Sequence, residues 1–114
     1  MPIDWTMALA YVDNDRQLLA ELAAMFLQDS PSLLLKAREA IVQDDFSGLE
    51  RAAHTLKGRL AFFGIDFLLD RALRLESMGR LRVLDDAPEL LAEIEAEIER
   101  ILPEFEALSR EQGK

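Results

Sequence analysis

Apolar residues recur along this chain at intervals of three and four, the period of helices that each bury one face. No segment sustains the period-two alternation of β-branched residues that marks a strand. Capping chemistry divides the pattern into elements. Asp4 can cap a short first helix, about Trp5–Tyr11. Asn14 with Gln17 resembles a capping pair for a second helix running to about Asp29, with Leu19, Leu22 and Phe26 as its core stripe. Ser30 then Pro31 reads as an N-cap and a first-turn proline, opening a third helix to about Gln43. Asp44 or Asp45 caps a fourth, to about Phe63, and Gly64 fits the position past its end where φ > 0 is often required. A fifth spans about Asp66–Met78. Asp86 and Glu89 resemble a capping box for the last, with Pro88 in its first turn. Leu91, Ile94, Ile98, Ile101, Phe105 and Leu108 keep the 3-4-3-4-3 spacing of a bundle seam, and Pro103 should kink it. Amphipathic helices with short connections predict an all-α fold, an antiparallel bundle.

A chain of 114 residues, half of them apolar, suffices for one domain with one core, and no linker, repeat or low-complexity stretch divides 1–114. No uninterrupted apolar run approaches the roughly 20 residues of a membrane helix, and the first residues lack a basic segment followed by an apolar one, so no membrane association is expected. Cysteine is absent, which removes thiolate chemistry and suits a reducing, cytoplasmic setting. The net charge of −9 repels phosphate backbones and argues against nucleic acid as a partner. That charge is uneven. Residues 36–82 carry nine basic and seven acidic side chains, a balance of +2, so an anionic ligand or acidic partner should prefer the middle of the chain.

One histidine, His54, limits the chemistry. A zinc site would have to be completed by carboxylates alone, and a di-iron bundle with a Glu-x-x-His pair on each of two helices is impossible. There is no nucleophile elbow, P-loop or dinucleotide fingerprint, hence no cofactor motif. In the fourth helix Leu49, Ala53, Leu56, Leu60 and Phe63 form the apolar stripe, and at about 100° per residue His54 lies roughly 140° from its centre, facing outward. Arg51, Lys57, Gly58 and Ala61 share its side. Gly58 costs on the order of 1 kcal/mol relative to alanine in mid-helix, and core packing does not explain it on the solvent side. It clears space one turn from the imidazole, and Lys57 offers a compact positive charge there. An exposed imidazole is a usable nucleophile near neutral pH. A surface histidine with an incidental lysine and glycine would give the same three residues.

The segment Ala53-His54-Thr55-Leu56-Lys57-Gly58, with Gly64 following, resembles the signature of histidine-containing phosphotransfer (HPt) domains, approximately A-H-x-L-K-G, five residues, then G. Asp4-Trp5, Leu19 to Pro31, Glu50 to Gly64 and Leu75-Glu76 fall in that family's order and spacing. The resemblance implies a four-helix bundle with a short N-terminal helix. It implies that His54 is phosphorylated, Lys57 stabilises the phosphate and Gly58 gives access. It also implies a carrier, not an enzyme, that shuttles phosphoryl groups between aspartates of receiver domains, one of which can belong to a hybrid histidine kinase. The receiver would supply the Mg²⁺. Arg59, Leu60 and Phe62 replace the small or polar residues of many relatives. Arg51, Arg59, Ala61 and Phe62 are the expected partner-binding residues, with the second and fourth helices beside the histidine. Two other readings remain. One is a non-catalytic helical adaptor that binds through its acidic last helix. The other is a kinase dimerisation module, which needs two chains to complete four helices; this chain has enough helices to be a monomer.

Overall fold

The computed structural model describes residues 5–110, so the proposed Asp4 cap lies outside the described residues. Five helices follow one another: α1 (Trp5–Tyr11), α2 (Arg16–Val42), α3 (Phe46–Ala61), α4 (Asp66–Leu81) and α5 (Ala87–Ser109). Described residues include no strand. α2 packs on α3 and α5, and α4 packs on the same two, so the four long helices close a ring in which α2 and α4 sit at opposite corners. α1 lies against α2 at one end. At 27 residues α2 is roughly 40 Å long at 1.5 Å per residue, which accounts for the long dimension of the 44 × 21 × 20 Å fold.

α2 corrects the reading of two helices meeting at Ser30. The chain runs through Ser30-Pro31 without a break. Ser30 is buried rather than capping. Pro31 has no amide to give the carbonyl of Leu27, a loss on the scale of one helix hydrogen bond. The buried face nevertheless continues across it through Phe26, Ser30, Ala37 and Ala40. Tertiary packing of that face outweighs the local stop signal. Joined in this way, α2 is by length and composition long and apolar enough to cross a membrane, which the split reading had missed; in the fold its Leu19, Ala23 and Phe26 are buried in the bundle. α5 likewise continues through exposed Pro103 to Ser109 instead of being interrupted there.

The turns use acidic and basic residues where glycine is commonest. Asp13, Asp44 and Arg82 take φ of 52°, 55° and 62°. Each follows a helix and closes it with paired backbone bonds, for example Asp45 N–H to the Ala40 carbonyl at 2.8 Å and Val83 N–H to the Met78 carbonyl at 3.0 Å. Gly64 takes φ of 61° after α3, as its position implies. Asp15, not Asn14, caps α2 by accepting from Leu18 N–H at 3.0 Å, and Asp45 caps α3 through Gly48 N–H at 3.0 Å.

The core joins all four long helices. Phe26 of α2 stacks on Phe105 of α5 with centroids 4.6 Å apart, and Phe63 meets Phe105 edge-on at 4.7 Å. Gly79 sets the approach of α4 to α3. A Cβ there would stand 2.7 Å from Glu50 N and 2.8 Å from the Phe46 carbonyl oxygen, both backbone atoms that cannot step aside. This explains why α4 extends past Met78: Gly79 is a packing position, not a helix end. At Gly58 a Cβ would meet nothing within 4 Å. The same substitution should therefore have opposite signs at the two sites. Gly79→Ala is expected to cost roughly 1–3 kcal/mol by overpacking, and Gly58→Ala to add up to about 1 kcal/mol by helix propensity. Urea unfolding of the two variants checks this; a stable Gly79→Ala would show that the helices can separate freely.

Candidate functional site

Capped by Asp45, α3 lays Leu49, Ala52, Ala53, Leu56 and Leu60 into the core. The opposite face holds His54, whose side chain is 68% exposed. Facing it from α4 is Glu76, buried at 7% exposure between Leu75 and the close-packed Gly79 turn. Glu76 Oε2 lies 2.6 Å from His54 Nδ1. Its other oxygen, Oε1, accepts from Lys57 Nζ at 2.7 Å. One carboxylate thus ties together two residues that stand one turn apart on the neighbouring helix.

The charge state of Glu76 decides the imidazole tautomer. Lys57 donating to it holds its carboxyl below the usual value; burial pushes the other way, and the His54 hydrogen bond adds to the lowering. An ionised carboxylate only accepts, so Nδ1 carries the hydrogen and donates. In the neutral ring the free lone pair is then at Nε2, directed away from Glu76. Glu76→Gln should expose the same linkage in stability. Because the folded pKa is depressed, the ionised group stabilises the fold above the ordinary value of 4.5, and that contribution is lost as pH falls through the lower folded value. Thermal melts of wild type and Glu76→Gln are expected to differ at neutral pH and converge in acid. A constant gap across that range would mean that the pair does not stabilise the fold.

The structure brings His54, Lys57 and Gly58 together as the sequence implies, with Gly58 exposed and Lys57 half-buried. Arg51 is exposed one turn before His54, and Ala61 is half-buried two turns after it. Phe62, 36% exposed, ends α3 and meets Tyr11 edge-on at 5.9 Å, placing an aromatic pair at the α1 end of the bundle. Arg59 turns to the other flank and pairs with Asp29 of α2 at 3.2 Å, so it is the member of the expected set least associated with the imidazole. Glu76 was missed as a site residue. A signal existed: on α4 it follows Ala72 by four and precedes Gly79 by three, which puts a carboxylate in a buried stripe that needs a cation from the facing helix. Among the described residues no cluster of three or more His, Cys, Asp or Glu could hold a metal.

Comparison with known proteins points the same way. The family model described as "Hpt domain" matches residues 21–104, about three quarters of the chain. A crystal structure of histidine-containing phosphotransfer protein B (HptB) from Pseudomonas aeruginosa PAO1 superposes with a TM-score of 0.86 over 96% of each chain at 23% identity, a likeness of fold. No curated protein gives a significant sequence match.

Proposed function

Because the chain belongs to the Hpt domain family, the histidine phosphotransfer proteins of phosphorelays, we propose that His54 is the group that carries the phosphoryl, taking it from one receiver-domain aspartate and passing it to another. The observation that carries this reading is the sole histidine standing exposed with Nδ1 tied to Glu76 and Nε2 open. The Nε2 lone pair attacks the phosphorus of an aspartyl phosphate. An N–P bond forms as the P–O bond to the aspartate breaks, and the aspartate leaves as a carboxylate. Nδ1 keeps its hydrogen on Glu76 throughout, so the phosphorylated imidazolium is stabilised by a carboxylate at 2.6 Å. In the reverse step an aspartate oxygen attacks, and a neutral imidazole departs with no proton to be moved.

Lys57, on a flexible stem, can exchange Glu76 for a phosphate oxygen one turn from the imidazole. Gly58 leaves room for the tetrahedral group and the approaching receiver. The chain supplies nucleophile, lysine and docking surface, and positioning does most of the catalysis. It acts as a monomeric cytoplasmic carrier. A gel-based transfer assay against a panel of phosphorylated receivers tests the reading and identifies donor and acceptor. A chain that takes no phosphate from any of them would overturn it.

The docking surface centres on α3, with α2 beside it, and Phe62 with Tyr11 forms its apolar edge. Arg51 faces the acidic pocket of the receiver. Exposed opposite charges are screened by salt, so association should slow as ionic strength rises. Arg51→Glu is expected to slow transfer more at low salt than at high salt, as stopped-flow rates at two ionic strengths would show. Insensitivity to Arg51, with strong sensitivity to charge reversal at Glu93 or Glu97, would move the contact to α5.

A further inference from the structure

His54 hydrogen-bonds across the α3–α4 seam, so the α2–α5 seam is the opposite side of the four-helix ring. The outer surface of that seam is indented. A groove of about 520 Å³ runs between α2 and α5, floored by Leu27 and Leu34 from one helix and Ile98 and Leu102 from the other. Pro31 lines it as well, and its missing amide leaves the Leu27 carbonyl, on the same face one turn back, without its usual helix donor. The rim is acidic. Three glutamates line it, and of these Glu95 is engaged by Arg38. Glu99 and Glu106, both at the groove, have no ion pair among the described residues.

We propose that this groove is a second docking site, for a basic amphipathic helix of another protein, used independently of the histidine face. The shape fits a helix laid between two helices, with apolar residues at i, i+3, i+4 and i+7 reaching the leucine and isoleucine floor. The chemistry fits lysine or arginine flanking that stripe, opposite Glu99 and Glu106, with one side chain able to donate to the Leu27 carbonyl. Charge decides against a second copy of this chain, because two such acidic rims would face each other. A helix seated here leaves His54 uncovered, so a receiver and this partner can be held at once.

The test titrates the full ¹⁵N-labelled chain with a synthetic leucine–lysine amphipathic helix of about 18 residues, five turns, and with a scrambled peptide of the same composition. Saturable shifts confined to residues 27–34 and 95–106 are expected, with weaker binding by the scrambled peptide. Glu99→Lys/Glu106→Lys should weaken the amphipathic helix by roughly tenfold, and Leu34→Asp should weaken it similarly, while phosphotransfer to the peptide-bound chain proceeds at the free rate. Equal binding by the scrambled peptide, shifts spread over the other acidic surfaces or centred on Arg51 and His54, or a chain dimer in sedimentation that Leu34→Asp dissolves would each overturn the proposal.

Discussion

His54→Gln is expected to keep the helical circular dichroism of the wild type and to take up no phosphate from a phosphorylated receiver. The side chain is mostly solvent-exposed, so no cavity forms. The glutamine amide can still donate to Glu76, which avoids stranding a buried carboxylate. What disappears is the proposed nucleophile, and the sequence holds no other imidazole to replace it. Wild type should acquire a phosphate that is labile in acid and stable in alkali, the pattern of a phosphoramidate and unlike an acyl phosphate, which alkali cleaves. Labelling of the variant at the wild-type level would sink the carrier reading. Loss of label together with loss of helicity would point to misfolding, and for that reason the dichroism is measured on the same sample.

Much of the fold is legible in the sequence because helical periodicity and capping act within one element. Asp45, Gly64 and the Leu91–Leu108 seam all stand where local chemistry puts them. The misreadings share one cause. Ser30-Pro31 is a valid start signal for an isolated segment, but the apolar face keeps its phase from Phe26 through Ala37, and its burial against α3 and α5 outweighs one lost hydrogen bond. The expected end of the fifth helix near Met78 falls short of Leu81, because Gly79 is the point where α4 touches the backbone of α3 and the helix runs on through that contact. Both differences arise where the role of a residue is set by a neighbouring helix.

The candidate site divides along the same line. His54, Lys57 and Gly58 lie within one and a half turns of α3, so their grouping follows from helix geometry alone. Glu76 is 22 residues away from His54, and spacing within a helix says nothing about which residue of the next helix it meets. The family resemblance carries Leu75-Glu76 as a matter of order and assigns the glutamate no task. Only the packing of α4 on α3 puts its carboxylate on Nδ1, and with it comes the tautomer that leaves Nε2 free.

Gly58→Glu is expected to slow phosphotransfer sharply while leaving the bundle folded. The position is exposed, and a side chain started there meets open space, so the fold has no reason to resist it. Helix propensity even favours glutamate over glycine. The cost falls on the reaction. A residue at i+4 from His54 projects over the same patch of helix surface, where the proposed transfer brings the phosphoryl group and the receiver. Its carboxylate repels the incoming phosphate and competes with it for Lys57. Gly58→Ala separates bulk from occupancy: a methyl group should change the transfer rate little and raise stability, so the pair distinguishes obstruction from any effect on the helix. Rapid-quench rates for the two variants with one donor receiver, set beside their unfolding curves, make the comparison. Transfer by Gly58→Glu at the wild-type rate would show that the space beside the imidazole is not where the phosphoryl group passes.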